Sequence, residues 1–178
     1  FNLGCSGFIY GLALAKGLVN SGTASCVLLV MSETYSKHIH VLDKSNRSIF
    51  GDAATAVIVE RSDEEHICNF VLGTDGEGKN NLIVEGGGMR MKGMNNAPSS
   101  IPENAFNAEN LYMNGPEIFN FTIKNVPSVV KETIDRNFTS MDDIDMVIMH
   151  QANKFILEYL RKKIRIPEEK FFIDLEET

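Results

Sequence analysis

Residues 1–8 read Phe-Asn-Leu-Gly-Cys-Ser-Gly-Phe, a short apolar run that ends on a glycine and is followed by a cysteine. Residues 6–21 then place apolar side chains on most faces of a helix, with small residues between them. This order predicts a strand, a sharp turn and a buried helix, with Cys5 at or beside the helix N-terminus. The positive end of a helix dipole favours a thiolate over a thiol. On these residues alone, Cys5 is either a reactive nucleophile or a small, inert core residue.

Strand-like and helical segments alternate along the rest of the chain. The uninterrupted apolar run at 26–31 predicts a strand that is covered on both faces. Other patterns predict strands at 53–60, 66–74, 81–85, 144–149 and 171–175, helices at about 116–137 and 153–164, and a long loop at 86–110. Such alternation is typical of a layered α/β fold, in which reactive groups collect at strand ends. His150, like Cys5, lies at a predicted junction between a strand and a helix.

Composition and charge exclude several classes of function. The 178 residues carry a net charge of −7 and no block of basic residues, which argues against nucleic acid and against an anionic membrane surface as partners. No apolar run has the length that a membrane span requires. The three cysteines are far apart, so neither disulfides nor zinc are predicted, and Cys26 and Cys68 are expected in the core. His38 and His40 lack further ligands at suitable spacing, so no metal site is predicted, and a reducing, cytoplasmic location fits best.

Four motifs carry a resemblance to a known family. They are CSGFIYGL at 5–12, FGDAA at 50–54, MNGPEIF at 113–119 and HQAN at 150–153. In this order and rough spacing they resemble 3-oxoacyl-acyl-carrier-protein synthase III, a family of condensing enzymes of the thiolase superfamily. The resemblance covers essentially the whole chain. It implies a thiolase-like, five-layer αβαβα fold of two similar halves, present here only in part, and usually a homodimer.

The resemblance also implies where the halves meet. The acidic turn at 62–65 separates residues 1–64, the end of the N-terminal half, from residues 65–178, most of the C-terminal half. Members of the family have a long segment before the position of Phe1 and a Gly-Asn-Thr element soon after that of Thr178. The asparagine of that element is the third catalytic residue, and a later glycine-rich segment donates an oxyanion N–H. Both ends of the chain therefore look cut, and we expect this segment alone to be catalytically incomplete.

By resemblance, the protein is an acyltransferase of the β-ketoacyl synthase III type that needs no cofactor. Cys5 accepts an acyl group from acyl-coenzyme A as a covalent thioester, and its backbone N–H helps to hold the oxyanion. His150 assists the decarboxylation of malonyl-acyl-carrier protein by stabilising the enolate, which attacks acyl-Cys5 and gives a 3-oxoacyl product in fatty acid or related biosynthesis. On the residues alone, His150 is equally a hydrogen-bonded core histidine.

Four further residues match substrate-binding positions of the family. Asn153 matches a residue that contacts the pantetheine arm, although the N-cap of the next helix is an alternative role. Gly115 matches a position that lines the same tunnel. Phe50 matches an aromatic residue beside the nucleophile, or is a plain core phenylalanine. Lys44 falls where the family often has an arginine near the adenine of coenzyme A, or is a solvated surface lysine.

Two departures from the family pattern leave the second substrate open. Phe155 stands where members often have an arginine that docks the acidic carrier protein, and Pro116 replaces a polar residue. Carrier docking would then rely on the nearby cations Lys154, Arg161, Lys162 and Lys163. A specialised paralogue fits as well as the housekeeping enzyme. The alternatives are a same-fold acyltransferase that acts on an oxygen or nitrogen nucleophile without decarboxylation, and a non-catalytic partner subunit.

Overall fold

The computed structural model describes residues 1–87 and 107–175, so most of the predicted loop at 86–110 lies outside the described residues. The helices are α1 (Gly7–Asn20), α2 (Lys44–Arg47), α3 (Gly115–Arg136) and α4 (Lys154–Ile164). The strands are β1 (Cys26–Thr34), β2 (Asp52–Glu60), β3 (Leu82–Val84), β4 (Leu111–Met113), β5 (Val147–Ile148) and β6 (Phe171–Phe172). Within these described ranges, none of the helices is both long and apolar enough to cross a bilayer.

Helix α1 packs against one face of an antiparallel pair formed by β1 and β2. The register runs from Cys26 opposite Glu60 to Thr34 opposite Asp52. The small core between helix and strands consists of Ala15, Val19 and Val59, with Leu12, Val27 and Ile67 packed against it. A Cβ atom built on Gly11 would lie 2.7 Å from Leu29 Cδ1, so the glycine allows the helix to approach the strand closely.

The opposite face of this strand pair is exposed among the described residues. Leu28 and Val30 of β1 are 64% and 57% exposed, and Ile58 of β2 is 66% exposed. The strand prediction at 26–31 is confirmed. Cover on both faces is not seen in the described part of the chain, where the exposed and half-buried positions of β1 alternate.

The C-terminal part is built on α3, α4 and the parallel pair β5–β6. Its core consists of Leu157, Ile166 and Phe171, with Val147 and Met149 among the residues packed around it. Phe119 of α3 stacks on Phe155 of α4 with ring centroids 5.8 Å apart, which joins the two helices. Both helices start at asparagine N-caps, Asn114 and Asn153, of which only Asn153 was predicted as a possible cap from the sequence.

Two strand predictions and one core prediction are wrong. Neither residues 1–3 nor residues 66–74 form a strand, because a strand needs a partner and neither segment has one in the described ranges. The second segment is held by side chains instead: the Asn69 N–H donates to Asn137 Oδ1 at 2.8 Å, and Lys16 Nζ donates to the Cys68 carbonyl at 3.0 Å. The thiols Cys26 and Cys68 are exposed rather than buried in the core.

Candidate active site

Cys5 lies in the tight turn that leads into α1. The Gly7 N–H donates to the Gly4 carbonyl at 2.8 Å, which closes the turn around the cysteine. Ser6 is the N-cap residue, and its side chain makes no capping hydrogen bond. The positive helix end is therefore not satisfied by its own cap and remains available to a negative charge on or near Cys5. Cys5 remains accessible to solvent, as a nucleophile that meets a substrate must be, although the surrounding protein partly desolvates its thiol.

His150 is positioned by its neighbour Gln151, which bridges the ends of β5 and β6. Gln151 Nε2 donates to the carbonyls of Met149 at 2.9 Å and Phe172 at 3.3 Å, and its Oε1 accepts the Asp174 N–H at 3.0 Å. The Ala152 N–H donates to the His150 carbonyl at 2.9 Å. These bonds fix the backbone of the HQAN motif on both sides of the imidazole, a role of Gln151 that the sequence does not reveal.

The structure brings Cys5 and His150 together, although they are far apart in the sequence. A side-chain hydrogen bond from His150 is the largest cause that lowers the pKa of Cys5, and the charge of the imidazole adds to it, while burial opposes the shift. The same hydrogen bond is the largest cause that raises the pKa of His150, again against burial. Both shifts favour the thiolate–imidazolium form of the pair. The arrangement therefore provides an activated sulfur nucleophile beside a proton carrier.

Two further residues near the thiol were not identified as functional from the sequence. The charge of Glu33, close to the end of β1, opposes the lowering of the Cys5 pKa. Tyr35 follows β1 directly, and a Cβ atom built on Gly4 would lie 3.1 Å from its hydroxyl oxygen. The only signal available for both was their position at a strand end, where α/β folds place functional groups.

The predicted substrate-binding residues differ in whether observed contacts connect them to the surroundings of Cys5. Phe50 stacks on Tyr35 with ring centroids 4.9 Å apart, and so belongs to the surroundings of Cys5. Lys44 is exposed at the start of α2, and Gly115 is the first residue of α3 with open space where a Cβ would lie. No hydrogen bond or ring contact in the described ranges links either of them to Cys5. Asn153 Oδ1 accepts the Ile156 N–H at 2.9 Å, so its capping role is confirmed.

His38 and His40, the two histidines considered as metal ligands, contact backbone atoms. His40 Nδ1 accepts the Leu42 N–H at 3.2 Å, and His38 Nδ1 lies 3.4 Å from the Glu109 carbonyl oxygen. Across residues 1–87 and 107–175, no cluster of three or more His, Cys, Asp or Glu side chains is arranged to hold a metal ion.

Two models of known protein families match the chain. The family model for 3-oxoacyl-[acyl-carrier-protein] synthase III matches residues 1–76, and the model for the C-terminal part of the same enzymes matches residues 134–178. Together the two matches cover more than half of the chain and include both Cys5 and His150. The chain belongs to the 3-oxoacyl-acyl-carrier-protein synthase III family.

Individual members of the synthase III family agree with this assignment. A curated β-ketoacyl-[acyl-carrier-protein] synthase III from Caldanaerobacter subterraneus subsp. tengcongensis is 38% identical over 98% of this chain and 51% of its own length. A crystal structure of a 3-oxoacyl-(acyl-carrier-protein) synthase III is 47% identical, with a TM-score of 0.86 over 97% of this chain and 53% of its own. A 3-oxoacyl-(acyl-carrier protein) synthase from Burkholderia xenovorans LB400 reaches a TM-score of 0.89 at 38% identity, over 98% and 49%.

The similarity to these structures establishes the fold class, and the matched lengths show how much of each relative the chain covers. The chain adopts part of the thiolase-like αβαβα fold, as predicted. It spans about half the length of the curated synthase III relatives it matches.

Proposed function

We propose that the complete protein is an acyltransferase that condenses an acyl-coenzyme A with malonyl-acyl-carrier protein and releases a 3-oxoacyl product. The observation that carries this proposal is the Cys5–His150 pair at the N-terminus of α1, with the pKa of the thiol lowered and that of the imidazole raised. Membership of the synthase III family supports the same reaction, since its members are named for it. A coenzyme A thioester is a substrate in this scheme, and no cofactor is required.

The first half-reaction uses Cys5 as the nucleophile. Its thiolate attacks the carbonyl carbon of the acyl-coenzyme A thioester, and the oxyanion that forms is held by backbone N–H groups, that of Cys5 among them. The new carbon–sulfur bond to Cys5 forms as the bond to coenzyme A breaks. His150, which carries the proton of Cys5 as imidazolium, returns it to the departing coenzyme A thiolate. The products are acyl-Cys5, free coenzyme A and a neutral imidazole.

The second half-reaction needs that neutral imidazole. Loss of carbon dioxide from the malonyl thioester leaves an enolate, whose negative oxygen accepts a hydrogen bond from the His150 N–H. The enolate carbon attacks the acyl-Cys5 carbonyl, and the Cys5 thiolate leaves. One histidine therefore acts first as a proton carrier and then as a hydrogen-bond donor, which its position beside the sulfur permits.

We assign the remaining predicted residues to the substrate arm. Asn153 and Gly115 contact the pantetheine chain, Phe50 lies beside the acyl group and Lys44 lies near the adenine. The Asn153 amide nitrogen supports this role, because only its oxygen is used by the helix cap. The division into halves at residue 64, the homodimer and the cytoplasmic location belong to the same proposal. Separate family matches at 1–76 and 134–178 support two halves, although the first match extends past residue 64.

One observation favours a second candidate, an acyltransferase that acts on an oxygen or nitrogen nucleophile without decarboxylation. Phe155 is 70% exposed where a carrier-docking arginine is common in the family. Of the nearby cations, Arg161 pairs with Glu158 at 2.9 Å and lies 3.7 Å from Glu168. Lys163 Nζ donates to the Ile123 carbonyl at 2.7 Å. The cationic charge open to an acidic carrier is therefore reduced on this face of α4.

The experiment compares the complete protein with its Cys5→Ala variant. Incubation with short acyl-coenzyme A should add one acyl mass to the wild type only, and malonyl-acyl-carrier protein should then release carbon dioxide. Acylation and acyl transfer without carbon dioxide release would replace the condensing reaction with the second candidate. The absence of any acyl adduct would leave the non-catalytic partner subunit as the function.

A further inference from the structure

Tyr35 is held rigidly beside the nucleophile by two neighbours. Asp52 accepts the Ser36 N–H at 2.8 Å and the Ser36 hydroxyl at 2.5 Å, and it also pairs with Thr34 in the β1–β2 register. The backbone on both sides of Tyr35 is thereby tied to the start of β2. The ring itself is stacked on Phe50 with an angle of 19° between the planes. Backbone and ring are thus both fixed, as a residue that selects substrate must be.

The hydroxyl of Tyr35 points at the backbone that carries Cys5. A Cβ atom on Gly4, the residue before Cys5, would lie 3.1 Å from the hydroxyl oxygen, which is tighter than an ordinary contact. Burial raises the pKa of Tyr35, and the charges of Cys5 and Glu33 raise it further. The phenol therefore keeps its proton while Cys5 is a thiolate, and it is a hydrogen-bond donor throughout the reaction.

The hydroxyl of Tyr35, a half-buried residue, makes no hydrogen bond within residues 1–87 and 107–175. Its ring contact with Phe50 involves the face of the ring rather than the oxygen. A polar group that loses water without gaining a partner is destabilising. An alkyl chain on Cys5 would displace water from the hydroxyl without replacing the lost hydrogen bond, whereas an oxygen atom on the chain would accept a hydrogen bond from it.

We propose that Tyr35 determines which acyl group Cys5 accepts, favouring a short acyl group with an oxygen substituent near the thioester over the unsubstituted chain of the same length. The inference rests on the proposed function, because it concerns the acyl-Cys5 intermediate. It assigns a specificity role to a residue whose only sequence signal is its position at a strand end, and it adds Ser36 and Asp52 as the residues that position it.

The test is the ratio of two acylation rates in the complete protein, 3-hydroxybutyryl-coenzyme A over butyryl-coenzyme A, followed by intact mass at Cys5 with both stereoisomers of the hydroxy compound. A rate ratio cancels any loss of folded protein, so it reports selectivity alone. We expect one stereoisomer to be preferred by about tenfold in the wild type. Tyr35→Phe keeps the ring and its stacking on Phe50 and should reduce the ratio to about one or below.

The matched control is Tyr10→Phe, which removes the hydroxyl that donates to the Gly73 carbonyl at 2.9 Å and should keep the wild-type ratio. An unchanged ratio in Tyr35→Phe would overturn the proposal, as would an equal loss of rate with both substrates, which would indicate a bond to the sulfur or the thioester itself. If no acyl-coenzyme A modifies Cys5 even in the wild type, the proposed function falls and the selectivity falls with it.

Discussion

Replacing His150 with alanine removes the strongest influence that favours the Cys5 thiolate. In the wild type, the hydrogen bond from His150 lowers the pKa of Cys5 and the imidazole charge helps, while burial and the charge of Glu33 act in the opposite direction. Without the imidazole, the two opposing causes remain, and only a smaller backbone hydrogen bond still lowers the pKa. The pKa of Cys5 should therefore rise, and the thiolate should appear only at higher pH.

The size of the effect follows from the thiolate fraction. An ordinary cysteine is a few per cent thiolate at pH 7, so complete ionisation raises the reactive fraction at most about thirtyfold. A thiolate of lower pKa is also a weaker nucleophile, which offsets part of the gain. We expect His150→Ala to slow alkylation of Cys5 at pH 7 by about three- to thirtyfold. The difference should shrink as the pH rises and both proteins become fully ionised.

The assay is the rate of iodoacetamide alkylation against pH in the complete protein. Cys26 and Cys68 are exposed, so both are replaced by serine to leave Cys5 as the reporter among the chain's three cysteines. His66→Ala, at an exposed position directly after the acidic turn, is the matched control and should leave the curve in place. An inflection that stays where it is in His150→Ala, or moves to lower pH, would refute the reasoning.

Three further changes test packing and capping. Gly11→Ala places a methyl group 2.7 Å from Leu29 Cδ1 and should lower the free energy of unfolding by about 1–3 kcal/mol in urea titrations, whereas Gly17→Ala, with open space at its Cβ, should not; equal stability of the two would contradict the close approach. Leu157→Ala, at a side chain only 1% exposed, should lower it by about 2–5 kcal/mol, and a loss below about 1 kcal/mol would mean that this core is not intact. Asn153→Ala should lose about 1 kcal/mol of capping, which Asn153→Asp restores. If Asn153→Asp also restores the KM for the coenzyme A thioester, Asn153 does not bind the pantetheine arm.

The three longer helices were predictable because each carries its own sequence signals, whereas the four-residue α2 was not predicted. Repeating apolar positions and a local start signal delimit α1, α3 and α4, and the observed ends lie within a few residues of the predicted ones. The strand predicted at 66–74 failed because pairing depends on a distant segment, and an apolar run cannot show whether a partner is present. In the structure, that segment is held by Asn137 and Lys16, and neither contact is visible from its own composition.

The candidate site, like the fold, was predictable only where local sequence patterns carry the information. The patterns around Cys5 and His150 placed each residue beside a helix start, and the resemblance to the synthase III family linked them. That the two side chains meet is a long-range fact, which only the folded chain supplies. Tyr35 was not predicted for the same reason, since its proposed role depends on the approach of β1 to the turn at Gly4 rather than on any local motif.

Gln151 bridges Met149, Phe172 and Asp174. The reactivity of the Cys5 thiol therefore depends on whether the distant strands β5 and β6 remain paired. If β6 separates from β5, the backbone of His150 loses its support, and Cys5 loses the neighbour that sustains its reactivity. The alkylation rate of Cys5 during gradual heating should therefore report local unfolding in the C-terminal part of the chain. We expect this rate to fall at a lower temperature than the one at which α1 unfolds.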